Sequence, residues 1–118
     1  MPMHCLIVDD SAQFRAAASG MLERAGITVD LACNGAEALQ CYRTRPPDVT
    51  LVDVDLGPES GFDVAEQLHH SEPAGIPVIM ISTHSELDLA EMIADSSAVG
   101  FLPKFALSPA AIKELLDT

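Results

Sequence analysis

Tryptophan is absent, tyrosine occurs once, and aromatic residues make up only 4% of the chain. An interior built from this sequence must therefore be aliphatic. With 48% hydrophobic residues among 118, there is enough of it for a real core. Cations are scarce as well: 6 Lys and Arg face 18 Asp and Glu, a net charge of -12. The deficit is uneven. Residues 1–45 hold 4 basic and 5 acidic groups, whereas residues 46–118 hold 2 and 13. Such a surface repels phosphate backbones and anionic membranes, so direct binding of DNA or RNA by this domain is not expected. It suits cations or a basic protein partner.

The three cysteines are Cys5, Cys33 and Cys41. Their number is odd and no CxxC pair occurs, which argues against a disulfide framework or a zinc site. They are expected to be small, reduced and mostly buried. No apolar run approaches membrane-spanning length, and Asp9-Asp10 follow the start too closely for a signal peptide. The expected location is cytoplasmic. The length suits one domain, 1–118.

Short apolar runs punctuate the chain at 3–8 (MHCLIV), 48–52 (DVTLV), 76–81 (IPVIMI) and 99–102 (VGFL), with a weaker one at 27–31 (ITVDL). Runs that are nearly all apolar read as strands covered on both faces. Helical spacing fills the intervals. In 11–25, Phe14, Ala18, Met21, Leu22 and Ala25 share a face, and Gly26 stops the helix. Further helices are predicted at 35–44, 60–70 with Ser60 as cap, 86–95 with Ser85 as cap, and 108–116. The last opens on Ser108-Pro109, a capping hydroxyl followed by proline in the first turn. Five strands alternating with five helices imply an α/β fold, a doubly wound parallel sheet with helices on both faces.

The polar residues fall at predicted strand ends. Asp9-Asp10, Asp53, Ser82 and Lys104 each stand at the carboxyl end of an apolar run, the edge where open parallel sheets bind ligands. Carboxylates converging with one lysine repel each other, and a divalent cation relieves this. Mg²⁺ suits such all-oxygen ligation. A carboxylate in this setting can attack phosphorus, with Lys104 and the metal neutralising phosphoryl oxygens and Ser82 donating a hydrogen bond.

LIVDD (6–10), LVDVDLGPESG (51–61), PVIMIS (77–82) and GFLPK (100–104) resemble, in order and spacing, the receiver domain of bacterial two-component response regulators. Gly61, eight residues after Asp53, belongs to the same pattern. The resemblance spans the chain and implies a flavodoxin-like fold with strand order 2-1-3-4-5. It implies Asp53 as phosphoacceptor. Asp9, Asp10 and Asp53 would hold Mg²⁺, Asp10 directly and Asp9 largely through water, with the backbone carbonyl of Asp55 as a further ligand. Ser82 would be the switch hydroxyl, Lys104 the phosphate-pairing lysine, and Phe101 the aromatic switch that turns inward. The implied donor is a sensor histidine kinase. The chain would be a phosphorylation-dependent switch with self-catalysed phosphotransfer and slow autodephosphorylation, not a metabolic enzyme.

Three departures stand out. Thr83 occupies the place of a usually smaller residue and is expected to slow phosphotransfer from small donors. Phe105 replaces the proline that often follows the lysine through a cis bond, so this loop is expected to be strained or built differently. Phe101 lacks the hydroxyl of the commoner tyrosine. His4, His69, His70 and His84 show no metal spacing; His84, two residues after Ser82, is expected to be an exposed loop residue.

DVDLG (53–57) also resembles the nucleophile loop of haloacid-dehalogenase-type phosphatases, but those enzymes place the acidic pair last, and here it comes first. A flavodoxin would carry a Ser/Thr/Gly-rich phosphate loop where Asp9-Asp10 stand. GFLPK followed by ALSPAAIKELL looks like receivers that precede LuxR-type DNA-binding domains, which implies transcriptional regulation through an output domain outside these residues. Within 86–118 the basic groups are Lys104 and Lys113. A dimer laced by salt bridges through this stretch is therefore not expected.

Overall fold

The alternation of apolar and amphipathic stretches is realised as five strands and five helices in a computed structural model that describes residues 3–83 and 86–117, with 86 and 87 described by backbone alone. The chain runs β1 (His4–Val8), α1 (Ala12–Arg24), β2 (Thr28–Ala32), α2 (Gly35–Thr44), β3 (Val49–Asp53), α3 (Gly61–His69), β4 (Val78–Ser82), α4 (Glu86–Asp95), β5 (Gly100–Pro103) and α5 (Pro109–Leu116). The strands form one parallel sheet in the order β2-β1-β3-β4-β5, as the flavodoxin-like expectation required.

Side chains of a strand alternate between its two faces. Leu6, Val8, Val52 and Met80 point into a core shared with α2, α3 and α4. Cys5, Ile7, Leu51, Ile79 and Ile81 point into a second core beneath α1 and α5. Burial on both faces is why these strands are almost continuously apolar. Each large aliphatic side chain taken out of water contributes roughly 1.5–3 kcal/mol. The edge strand β2 is only partly covered, with Leu31 40% exposed. There His4 reaches across from β1, with Nδ1 2.8 Å from Thr28 Oγ1 and Nε2 2.9 Å from Asp30 Oδ2.

The helix ends follow local chemistry. Ser11 accepts a hydrogen bond from Phe14 N, Asn34 from Glu37 N and Ser108 from Ala111 N, and Pro109 opens α5. Gly26, at φ +85°, takes the chain out of α1 in the left-handed region that glycine favours.

The structure corrects some expectations and decides between others. Ser60 precedes α3 but makes no side-chain capping bond. It pairs instead with Asp55 in a small antiparallel hairpin, Asp55–Leu56 against Glu59–Ser60. Of the cysteines only Cys5 is buried; Cys33 and Cys41 are partly exposed. The cis peptide bond among the described residues is Glu72–Pro73, so Lys104–Phe105 is trans. That loop is built differently: Lys104–Ala106 form a single 3₁₀ turn, and Phe105 is left 89% exposed. His84 and the expected cap Ser85 lie outside the described residues.

Candidate functional site

Four strands end at one rim. Asp9 follows β1, Asp53 closes β3, Ser82 closes β4 and Lys104 follows β5. Parallel strands lie about 4.8 Å apart, so residues at equivalent heights become neighbours. The register does this: Val8 pairs with Val52, Asp53 with Ile81, and Ser82 with Pro103.

Asp9 is fully buried and Asp53 is 5% exposed, while Asp10 faces solvent. One carboxylate oxygen from each of the three lies within 4.8 Å of the others. Asp9 is held on several sides. Its Oδ1 accepts from Ser11 N at 2.8 Å, and Arg15 donates to its carbonyl at 2.6 Å. Asp53 Oδ1 accepts from Asp55 N at 3.2 Å. The Lys104 ammonium spans the pair, 2.6 Å from Asp9 Oδ2 and 3.1 Å from Asp53 Oδ2. It also sits 4.4 Å from the centre of the Phe14 ring. Gly57, at φ +67°, brings the loop after β3 beside Asp10, where a Cβ would lie 3.5 Å from Asp10 Oδ2.

Burial, then the Asp9 charge, push the Asp53 carboxyl above its ordinary value, and Lys104 offsets this only in part. Burial pulls the lysine down, but hydrogen bonds and charges from Asp9 and Asp53 outweigh it and hold the ammonium above its usual value. Three carboxylates against the Lys104 ammonium and the Arg15 guanidinium still leave excess negative charge in a pocket of oxygen donors. That donor set fits a hard divalent cation such as Mg²⁺.

Ser82 is fully buried at the end of β4, next to Ile81, the register partner of Asp53. Thr83 is exposed and shares a shallow groove with Phe14, Lys104 and Phe105. Phe101 lies inside, in the same core as Met80, Phe62, Leu89 and Ile93.

The family model of the response regulator receiver domain matches residues 5–117. The chain belongs to that family. Among curated relatives, the receiver is 34% identical over 98 residues to the DNA-binding transcriptional regulator NtrC of Escherichia coli K12, covering 83% of this chain and 21% of NtrC. It is 31% identical over 116 residues to the response regulator MprA of Mycobacterium sp. strain KMS, covering 98% of this chain and 48% of MprA. The chain thus spans about a fifth of one and about half of the other. Among solved structures, the chemotaxis protein CheY4 of Vibrio cholerae superposes with a TM-score of 0.86 at 26% identity, over 99% of this chain and 98% of that one. A Burkholderia pseudomallei response regulator gives 0.84 at 25% identity, over 96% and 66%. Receivers of this family are phosphoacceptor switches of two-component systems and generally use Mg²⁺. NtrC and MprA are of other types than LuxR, so they do not support the LuxR-type resemblance of the C-terminal stretch.

The rim thus gathers Asp9, Asp10, Asp53 and Lys104, with Asp55 bonded to Asp53 through its N–H. Reading the sequence missed Phe14 and Arg15 as members of the site. Both lie in the first turns of α1, directly after the acidic pair, and that position was the available signal. No helix among the described residues is long and apolar enough to cross a membrane.

Proposed function

We infer that this receiver takes a phosphoryl group on Asp53 and passes the change to α4 and β5. The observation that carries the reading is the Lys104 ammonium joining buried Asp9 and Asp53 at one strand-end rim. The B. pseudomallei relative, which holds a phosphorylated aspartic acid and a calcium ion, supports it. Asp9, Asp10, Asp53 and the Asp55 carbonyl would hold Mg²⁺, which supplies positive charge against the phosphoryl oxygens. An Asp53 oxygen attacks the phosphorus of a phosphohistidine on a sensor histidine kinase. The O–P bond forms, the N–P bond breaks, and the imidazole leaves with the electron pair and takes up a proton. Lys104 then pairs with the phosphoryl group rather than with bare Asp53. Ser82 donates its hydroxyl to a phosphoryl oxygen. Phe101, on β5 and in one core with Met80 of β4 and Leu89 and Ile93 of α4, carries that movement into the helix. Phosphorylation biases an equilibrium between two arrangements that already exist.

For the output we infer transcriptional control, supported by the similarity to NtrC. The ALSPAAIKELL stretch is the support for a LuxR-type domain, and the named relatives are of other types.

Intact mass after treatment with acetyl phosphate and Mg²⁺ tests the chemistry. Wild type should gain one phosphoryl group and Asp53→Asn none. Equal labelling of both would move the phosphoacceptor elsewhere.

A further inference from the structure

Between Arg45 and Lys104 the sequence contains no lysine or arginine, yet eleven Asp and Glu. This stretch supplies both α3 and α4. The two helices pack on one core, and a groove of ≈ 240 Å³ opens between them. Phe62 forms its buried apolar part, and Met92, 50% exposed, forms an uncovered wall. Asp63, Glu66 and Asp95 rim it, with Ser96 at one end. Glu66 accepts from Ser97 N at 2.8 Å and from Ser97 Oγ at 3.0 Å, which ties α3 to the turn after α4 and sets the groove's width. Asp63 and Asp95 stay exposed.

An apolar slot ringed by carboxylates selects its occupant by charge. Nucleic acid and anionic lipid are repelled. A basic segment is steered in, and its register is set by the acids on either side. An unbranched methionine wall adapts to apolar side chains of different shape. We propose that the α3–α4 groove docks a basic, amphipathic segment of a protein partner. One large apolar side chain lies against Phe62 and Met92, and Lys or Arg side chains face Asp63 and Asp95. None of these residues belongs to the Asp53 cluster, so the inference stands apart from the phosphoacceptor reading.

The test titrates the isotope-labelled full chain with a short Lys/Leu amphipathic peptide. A Lys/Ser peptide of equal charge and a Glu/Leu peptide of opposite charge serve as controls. Saturable binding of the Lys/Leu peptide alone is expected, with amide shifts confined to residues 62–66 and 92–96. Met92→Ser should weaken it on the order of tenfold, as loss of a central apolar contact does. Asp63→Asn with Asp95→Asn should weaken it and flatten its salt dependence. These residues are solvent-exposed, and an unchanged amide spectrum elsewhere would show that the variants fold. Equal binding of the Lys/Ser peptide, indifference to Met92→Ser, or shifts centred on the Asp53 rim would overturn the proposal. So would Met92-dependent self-association in sedimentation, which would assign the groove to a second copy.

Discussion

Gly61 N donates a 2.8 Å hydrogen bond to Val54 O, and its Cα faces the backbone of Asp53 so closely that a side chain has nowhere to go. A Cβ there would strike the Asp53 carbonyl oxygen and stand 2.8 Å from Val54 Cα. Both neighbours are backbone, which cannot turn aside as a flexible side chain would. The glycine eight residues after Asp53 is therefore a packing requirement: α3 must start against the strand that presents Asp53.

Gly61→Ala should consequently destabilise the fold by about 1–3 kcal/mol, the usual cost of overpacking. It should also slow labelling by acetyl phosphate, because relief of the clash moves Asp53 or the hairpin beside it. Urea unfolding and the labelling rate measure the two effects. Wild-type stability with wild-type labelling would refute the packing argument.

Thr83 is exposed in the shallow groove beside Lys104, Phe105 and Phe14. A phosphodonor that entered through this groove toward Lys104 would pass its branched side chain. Thr83→Ala should raise the acetyl-phosphate labelling rate severalfold while leaving Mg²⁺ affinity unchanged. An unaltered rate would mean that Thr83 does not gate access.

Thr50 presents a different problem. It is the second residue of β3, fully buried, and its hydroxyl has no hydrogen-bond partner among the described residues. Its strand neighbours in register are Leu6 and Val78, both members of the core under α2, α3 and α4. A buried hydroxyl that bonds to nothing forfeits its hydration. Thr50→Val keeps the branched shape and removes the polar atom, so it should stabilise the protein by about 1 kcal/mol. Chemical denaturation decides it, and a loss of stability would show that the hydroxyl is satisfied in solution.

The strand-end rim was legible because two periodicities agree. Apolar runs of strand length end on Asp9-Asp10, Asp53, Ser82 and Lys104, and parallel pairing then forces those ends together. Other features depend on contacts between distant segments and left no local pattern. The hairpin at Asp55–Ser60 has two residues per strand, too few to show an alternation. Ser60 does stand at the N-cap of α3, but its side chain makes no capping bond there, and its backbone pairs with Asp55. Phe14 fits the apolar stripe of α1, and only the return of β5 reveals that its ring lies under Lys104. The residue after Lys104 warned of an unusual loop, and the 3₁₀ turn shows how a trans Phe105 is accommodated.

The same rim predicts how stability responds to pH. Burial and the neighbouring Asp9 raise the Asp53 carboxyl above its ordinary value of 3.8 in the metal-free fold. The folded state therefore holds that proton more tightly than the unfolded state does. This contribution is fully present below the unfolded value and is lost as pH rises through the raised folded value. At neutral pH the ionised Asp53 is a net burden. Asp53→Asn removes the charge and keeps the shape, so in EDTA at pH 7 it should melt several degrees above wild type. The gap should close as pH falls toward 4. Mg²⁺ held at this rim would favour the ionised form and bind only the folded protein, so it should raise the melting temperature of wild type more than that of Asp53→Asn. Identical melting of the two proteins at neutral pH without metal would show that Lys104 already compensates Asp53 in full.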